Sequence, residues 1–276
     1  MKLGLLAGAG PFPVRVAEAA RRAGHEIFVV CLRGFGEPAD FEPFPHVEER
    51  LGAGGSIIQH MKREGVTHVV LAGRVKRPSM LALLPDVWTA KAMARVGVAI
   101  FSGDDALFRA VAQVLGEEGF EIISPQSLIE DSTAAEAGLL VGSEPDATAR
   151  ADILRGIQTL RCLAPLDVGQ AVVVQQGLVL GIEAVEGTDA LIARAGDLRR
   201  EGPGGVLVKL AKTDQEMRID APVVGPVTVA GAKSAGLRGI AIEAGRTILA
   251  ERTATLQAAE AAGIFVLAVD PERFTA

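Results

Sequence analysis

Alternation of apolar strands with amphipathic helices in the first half of the chain constrains the fold more than any other sequence feature. An apolar strand over 3–7 is followed by a Gly/Pro turn, an alanine-rich helix over 14–23 and a second apolar strand over 26–32. The pattern continues with helices around 57–64, 81–96 and 105–118 and strands over 67–72 and 121–124. Because parallel strands need long crossover connections, usually helical, this alternation predicts a parallel sheet covered on both faces.

The second half predicts a mixed α/β arrangement. Strands are expected over 171–175, 178–183, 206–210, 239–243 and 264–269, and helices over 147–163, 228–235 and 254–262. Between the halves, residues 130–146 are small and acidic and show no strand pattern, and Asp146 is placed to cap the next helix. We therefore expect an α/β protein with a Rossmann-like parallel-sheet domain over 1–132 and a mixed α/β domain over 133–276.

Composition narrows the partners and the compartment. A formal net charge of -6 argues against nucleic acid as a partner. Cys31 and Cys162 lie in apolar contexts without metal-ligand spacing, which predicts two core thiols in a reducing compartment. The apolar N-terminal stretch is short and lacks a cleavage pattern, and no apolar run approaches the ~20 residues that span a bilayer. We expect a cytoplasmic protein that touches a membrane at most peripherally.

Three polar clusters lie beside apolar strands of the second half. One reads KLAKTDQEMRIDAPVVG over 209–225, one reads EAVEGTD over 183–189, and one reads DVGQ over 167–170. Strand ends and their loops are where α/β folds carry chemistry. We interpret each cluster as closing a strand and contributing to one site. The alternative for any single cluster is a solvated charged loop.

The residue types in these clusters favour hydrolysis by activated water. The histidines show no metal-ligand spacing, and no GxSxG nucleophile motif occurs. Carboxylates can hold a metal ion or accept a proton, and cations can neutralise charge that develops on a phosphate. For Glu186 and Lys212, ordinary solvent exposure is an equally good interpretation.

The first half offers weaker signals. Residues 8–13, GAGPFP, lie between a strand and a helix and loosely match the dinucleotide-binding fingerprint, but a tight turn that binds nothing explains them equally well. Arg74, Lys76 and Arg77 follow a strand and suit an anionic ligand or a basic surface loop. Of the adjacent Asp104 and Asp105, one is expected to cap a helix and the other is a candidate site residue.

Five motifs follow one another along the chain, namely LGLLAGAGPFP at the N-terminus, DVGQ, EAVEGTD, KxxKxxQxxRxDxPxxG over 209–225 and GIAIEAG over 239–245. Together and in this order they resemble the LpxI family, whose members are UDP-2,3-diacylglucosamine pyrophosphatases of lipid A synthesis. Ala211 and Thr213 stand where the family pattern has prolines. The resemblance implies hydrolysis of UDP-2,3-diacylglucosamine to UMP and 2,3-diacylglucosamine 1-phosphate, with Mg²⁺ as the supporting ion.

The motifs and the resemblance together assign roles to individual residues. Asp220 and Lys209 are predicted to be catalytic, and Asp189 and Asp104 are predicted metal ligands. The predicted substrate-binding residues are Gly8, Ala9, Gly10, Pro11, Arg74, Arg77, Gln170, Glu183, Gly187, Thr188, Lys212, Gln215 and Arg218. We expect the site to lie between the two domains.

Two other functions stay open from the sequence. One is an NADP-dependent oxidoreductase built on the first domain, in which Arg33 would meet a 2′-phosphate. The other is a carrier that binds an acylated nucleotide sugar without cleaving it. A homodimer is one option for its assembly.

Overall fold

The chain is described by a computed structural model over residues 1–75, 83–96, 104–129, 133–134, 136–212 and 221–276. It divides into two compact units, one containing the described residues up to 129 and the other those from 133 onward. Each unit has an α/β architecture with its own buried apolar clusters.

The first unit is built on a parallel sheet, as the alternation of elements predicts. Its described strands are β1 (Lys2–Ala7), β2 (Glu26–Leu32), β3 (His46–Glu49), β4 (His68–Ala72) and β5 (Glu121–Ile122), in the order β3-β2-β1-β4-β5. All four pairings are parallel. Its described helices are α1 (Phe12–Arg22), α2 (Gly54–Arg63), α3 (Val87–Val96) and α4 (Asp104–Glu117), with short 3-10 turns at Pro38–Phe41 and Pro125–Leu128.

Both faces of this sheet are buried. Along β2, Ile27, Val29 and Cys31 face the cluster that includes α1, whereas Phe28, Val30 and Leu32 face the cluster that includes α2 and α4. A strand buried on both sides needs a continuous apolar run, which explains the sequence EIFVVCL. The polar HVEE of β3 did not predict a strand, because it pairs only at the sheet edge.

The second unit contains a mixed sheet. Its described strands are β6 (Thr133–Ala134), β7 (Gly138–Val141), β8 (Ala171–Gln175), β9 (Leu178–Ile182), β10 (Val206–Lys209), β11 (Val223–Val224), β12 (Gly239–Glu243), β13 (Ile248–Leu249) and β14 (Phe265–Val269). The main sheet has the order β7-β14-β12-β10-β8-β9, and a small sheet has the order β11-β13-β6. Its helices are α5 (Ala147–Leu163), α6 (Thr188–Asp197), α7 (Pro226–Ser234) and α8 (Arg252–Ala262), and a 3-10 turn lies at Ala164–Leu166.

Strand direction brings the polar clusters to one edge of the main sheet, namely the edge formed by the C-terminal ends of the parallel strands β10 and β12. β10 and β12 run parallel, so Lys209 lies opposite Ile242, whereas β8 is antiparallel to β10 and places Ala171 opposite Lys209. β9 is antiparallel to β8 and ends beside Val172. The interpretation that 167–170 closes a strand is therefore wrong, since this segment opens β8. It reaches the same edge only because β8 is reversed.

Other expectations for the second half are corrected or confirmed individually. Gly138–Val141 lies in the stretch that showed no strand pattern, yet it forms the edge strand β7 by pairing with β14. The helix α6 was not predicted at all. The Asp146 cap is confirmed, because its carboxylate accepts a hydrogen bond from the Ala149 N–H at 2.7 Å.

The two cysteines differ in environment. Cys31 is buried, and burial raises the pKa of its thiol to about 11. Cys162 is exposed, so the expectation of a core thiol is wrong there. It lies two residues after Leu160, the last buried position of α5, and two residues along a helix point to different faces.

Candidate functional site

Lys209, the last residue of β10, is a buried cation. The residue is only 6% exposed. Its Nζ donates to Thr188 Oγ1 at 2.9 Å and to the Val223 carbonyl oxygen at 3.0 Å. Burying an ammonium group is costly unless it is paired or hydrogen-bonded, so these acceptors both stabilise the charge and hold it in one position.

Glu183 lies behind the same threonine. Its Oε1 accepts the Thr188 hydroxyl hydrogen at 2.7 Å, and its Oε2 accepts the Gln170 N–H at 3.0 Å. The Thr188 hydroxyl thus donates to the carboxylate and accepts from Lys209. A chain of hydrogen bonds, Lys209–Thr188–Glu183, links a buried cation to a buried carboxylate through one hydroxyl.

Two glycines permit this close arrangement. Gly187 precedes Thr188 and forms the N-cap of α6 with a φ of +83°, a conformation that glycine adopts without strain. Gly169 has a φ of +56°, and a Cβ placed there would lie 2.0 Å from the Glu183 carbonyl oxygen. A larger residue at 169 would therefore push the DVGQ loop away from Glu183.

Lys212 supplies a second cation at this edge. It forms an ion pair with Asp167, and the two side chains are 13% and 16% exposed. Ordinary solvent exposure is therefore not the state of Lys212. Asp167 has a φ of +55°, a left-handed conformation that aspartate tolerates better than most residues. A small cleft lined by Arg161, Gly169, Gln170, Ala211 and Lys212, among others, lies next to this pair.

Comparison with known proteins identifies the family. The model of the LpxI N-terminal domain matches residues 2–132, and the model of the LpxI C-terminal domain matches residues 136–267. The chain belongs to the LpxI family. It is also 40% identical over 277 aligned residues to a protein of Caulobacter vibrioides named UDP-2,3-diacylglucosamine pyrophosphatase LpxI, with 98% of each chain covered.

Solved structures are more distant. A Thermus thermophilus UDP-glucose 4-epimerase in complex with NAD aligns with 100% of this chain and 88% of its own, at 14% identity and a TM-score of 0.34. The Bordetella bronchiseptica enzyme WbmG in complex with NAD aligns with 44% of this chain and 35% of its own, at 22% identity and a TM-score of 0.29. Scores of this size do not establish a shared fold.

The glycine loop of the LpxI N-terminal domain lies where the strand order of its sheet reverses, between β1 and β4. Ligands of open α/β sheets bind at such positions. However, the Gly8 N–H donates to the Ala72 carbonyl and the Ala9 N–H to the Arg74 carbonyl, both at 2.8 Å. These two amides are committed to the end of β4, and a Cβ at Gly8 would lie 2.8 Å from the Arg74 carbonyl oxygen.

The other predicted residues of this loop face outward. Gly10 has a φ of +98°, with no heavy atom within 4 Å of where its Cβ would lie. Pro11 forms the N-cap of α1 without a side-chain hydrogen bond, and Arg74 is exposed. Arg33 donates to Glu48 at 2.9 Å, so the arginine considered for a 2′-phosphate already pairs with a carboxylate.

The carboxylates proposed for metal binding are only partly described. Asp189 is exposed in the first turn of α6, one residue after Thr188. The side chains of Asp104, Arg77, Gln215, Arg218 and Asp220 lie outside the described residues. Within the described ranges, no group of three or more His, Cys, Asp or Glu side chains is arranged to hold a metal ion.

Glu186 has a local role. It accepts a hydrogen bond from Arg194 at 2.6 Å. The pKa of its exposed carboxyl is lowered, chiefly by a hydrogen bond from its own backbone N–H; desolvation opposes this, and the Ala184 N–H and Arg194 lower the pKa further. Glu186 therefore pairs with Arg194 and is not a member of the Lys209–Thr188–Glu183 chain of hydrogen bonds.

Sequence reasoning assigned no role to three residues near the site, namely Asp167, Glu243 and Arg246, although the first two lie in motifs that it singled out. Glu243 carried a signal, because an acid that ends the apolar run GIAI resembles Lys209 ending VLV. The partnership of Asp167 with Lys212 had none, since 45 residues separate them. A separate cavity of about 370 Å³, lined by residues of α3 and α4, contains no predicted site residue.

Over the described ranges, none of the helices combines the length and the apolar character that crossing a membrane requires.

Proposed function

We propose that this protein hydrolyses the pyrophosphate bond of UDP-2,3-diacylglucosamine to UMP and 2,3-diacylglucosamine 1-phosphate. The observation that carries the proposal is the match over 98% of both chains to a relative named for this pyrophosphatase activity. The match includes both family domains. It also includes every polar cluster that the main sheet of the second unit brings to one edge.

The geometry of that edge suits phosphate chemistry. Cleavage of a pyrophosphate develops negative charge on the leaving phosphate, and preorganised cations stabilise it without reorganising during the reaction. Lys209 is held by two hydrogen bonds before any ligand arrives. Lys212 lies three residues further along the chain and is also held, by Asp167. We assign both lysines to the substrate phosphates.

Asp220 is the residue proposed to take part in bond cleavage. It lies in the sequence between Lys212 and Pro222, in the RxDxPxxG part of the signature. A carboxylate there has the chemistry to accept a proton from the attacking water or to bind a metal ion.

Mg²⁺ is part of the proposal. Hard carboxylate oxygens suit this ion, and Asp189 offers such a group beside Thr188, with Asp104 as the second proposed ligand. When bound, Mg²⁺ would neutralise phosphate charge. The lysines orient the substrate phosphates, Thr188 holds Lys209 in place, and Asp220 accepts the proton of the attacking water or binds the metal ion.

Release of UMP from purified protein and synthetic substrate tests the reaction. We expect EDTA to abolish UMP release and added Mg²⁺ to restore it. Full activity of thoroughly chelated protein would remove the ion from the proposal. Direct binding of Mg²⁺, measured by calorimetry with wild type and Asp189→Asn, tests the ligand separately from activity.

The position of water attack can be read independently. In ¹⁸O-labelled water we expect the label in 2,3-diacylglucosamine 1-phosphate and none in UMP. Label in UMP would overturn the direction of attack and leave the substrate assignment intact. Stoichiometric binding without UMP release at every Mg²⁺ concentration would instead favour the carrier, and bound nicotinamide absorbance would favour the oxidoreductase.

We also propose that the protein contacts a membrane and that it self-associates. A substrate with two acyl chains partitions into a bilayer, so we propose a cytoplasmic protein that contacts the inner membrane peripherally. Cosedimentation with vesicles that contain the substrate should exceed cosedimentation with vesicles that lack it.

The proposed oligomeric state is a homodimer. Light scattering at several protein concentrations measures the oligomeric state.

A further inference from the structure

The loop that follows β12 contacts the chain where it leaves β10. Glu243, the last residue of β12, accepts the Ala211 N–H on Oε2 at 2.8 Å. Arg246 donates to the Lys212 carbonyl oxygen at 3.1 Å. Two consecutive residues after β10 are therefore held by side chains from the end of β12 and the loop that follows it. We call Glu243 and Arg246 the β12 clamp.

The same loop also contacts the chain where it returns. The Ile248 N–H donates to the Pro222 carbonyl oxygen at 2.8 Å, and Ile248 pairs with Val223 in the small sheet. Lys209 in turn donates to the Val223 carbonyl oxygen. Residues 243–248 thus bind both ends of the segment that carries the signature between Lys212 and Pro222.

Charge explains why Glu243 is a strong anchor. It is 4% exposed, and a buried carboxylate is unfavourable unless other groups compensate for its charge. Arg246 Nη1 lies 3.7 Å and Arg161 Nη2 lies 3.9 Å from its Oε1. One oxygen therefore faces two cations while the other holds the Ala211 N–H.

We propose that the β12 clamp positions Lys209 and Lys212 for catalysis without touching the substrate. Ala211, the residue that Glu243 holds, lies between the two lysines in the chain, and Arg246 binds the backbone of Lys212 itself. Displacement of reacting groups by about 1 Å can cost about a hundredfold in rate. This inference rests on the proposed pyrophosphate hydrolysis.

The decisive variants change Glu243. Glu243→Gln keeps an oxygen that accepts the Ala211 N–H but removes the charge that orients Arg246, so we expect roughly a tenfold lower kcat with a nearly unchanged KM. Glu243→Leu removes the acceptor as well, and we expect a loss of roughly a hundredfold or more in kcat. Partial retention in the Gln variant separates positioning from loss of the fold.

Asp152 provides a matched control in the same unit. It is 1% exposed and accepts the N–H groups of Gln176 and Gly177 at 3.0 and 2.7 Å. Those residues form the turn between β8 and β9, at the end of the sheet opposite Lys209. Asp152→Asn should lower the Tm and leave kcat unchanged. Equal kcat losses in Asp152→Asn and Glu243→Gln, or wild-type kcat in Glu243→Gln, would overturn the proposal.

Magnetic resonance without substrate keeps the test independent of the reaction. In Glu243→Gln we expect faster hydrogen exchange of the Ala211 amide and shifted signals of the Lys209 ammonium group, with neither change in Asp152→Asn. Lys209 signals that match wild type in the Gln variant would refute positioning, even in a protein that releases UMP. If the Gln variant shows these changes but the wild-type protein releases no UMP, the proposed reaction alone is refuted.

Discussion

At the residue scale, Lys209 contrasts with Arg199, a cation on the protein surface. It is buried and bonded to Thr188 and Val223, whereas Arg199 is exposed in the run LRRE. Removing one preorganised donor typically costs about 10²–10³ in rate, so we expect Lys209→Ala to lower kcat by that order and Arg199→Ala to leave it within about twofold. Steady-state kinetics of both variants, with the Tm as a check on folding, makes the comparison. Similar kcat losses would mean that the cation site is elsewhere.

Glu183 is expected to need its charge as well as its shape. Both of its oxygens accept hydrogen bonds, from Thr188 and from the Gln170 N–H. In Glu183→Gln an NH₂ group replaces one carboxylate oxygen. An NH₂ group cannot accept a hydrogen bond from the Thr188 hydroxyl or from the Gln170 N–H, so Thr188 and Lys209 must reorient. We expect roughly a tenfold lower kcat. Thr188→Ser keeps the linking hydroxyl and serves as the control, and a Gln variant as active as that control would contradict the role of the charge.

Asp220 is the residue whose loss should affect chemistry and spare binding. The prediction rests on its place in RxDxPxxG, because the residue lies outside the described ranges. Loss of a positioned base or metal ligand typically lowers the rate about 10²–10⁴-fold, and we expect Asp220→Ala to fall in that range. Equilibrium binding of the intact substrate to the variant should match wild type. Turnover close to wild type would remove Asp220 from the reaction.

At the element scale, one carboxylate joins two helix N-termini. Asp86 accepts the Thr89 N–H at 2.7 Å in the first turn of α3 and the Gly55 N–H at 2.9 Å in the first turn of α2. Thr89 Oγ1 in turn accepts a hydrogen bond from the Gly54 N–H at 2.9 Å. Backbone N–H groups in the first turn of both helices thus find hydrogen-bond acceptors on Asp86 and Thr89.

This arrangement predicts a pH dependence. Burial alone would raise the pKa of Asp86, but hydrogen bonds from Thr89 and from the N–H groups of Gly55 and Ser56 outweigh it and lower the pKa. A carboxyl with a lower pKa in the folded state stabilises the fold above its unfolded pKa of about 3.9, and this stability is lost as the pH falls through the folded pKa.

We therefore expect Asp86→Ala to lower the free energy of unfolding by about 1 kcal/mol at pH 7, a value already reduced for partial exposure. The difference from wild type should shrink below about pH 4. Urea denaturation at several pH values measures both effects. The exposed Glu42→Gln is the control, and a difference for Asp86→Ala that stays constant from pH 7 to pH 2 would contradict the cap.

At the scale of the whole molecule, the buried clusters predict independent folding of the two proposed domains. The clusters of the first unit use residues up to 129, and those of the second use residues from 139 onward. We expect fragments 1–132 and 133–276 each to unfold cooperatively, since each keeps its own core. Fragment 1–132 should release no UMP, because it lacks Lys209 and Lys212. A fragment without a cooperative thermal transition by circular dichroism would contradict this division.

Local patterns were sufficient for much of this architecture. Strands buried on both faces require apolar runs, so β2, β8 and β12 were predicted with their observed bounds, and Asp146 marked the start of α5. The charged signature after β10 makes Lys209 a candidate, because a lysine that ends a buried strand is chemically unusual. The strand β7 and the helix α6 were missed, because β7 is an edge strand that forms only by pairing with β14, and α6 follows a glycine-containing polar cluster.

Tertiary structure alone decided which of these polar groups meet. Reversal of β8 carries Asp167 and Gln170 to the end of β10, and nothing local to DVGQ encodes that direction. The Lys212–Asp167 pair and the contact of Glu243 with Ala211 join residues 45 and 32 positions apart. Such pairings arise from strand order and register, which depend on packing across the entire sheet. The sequence by itself determined the elements and the chemical groups they carry, and the packing of the sheet determined their partners.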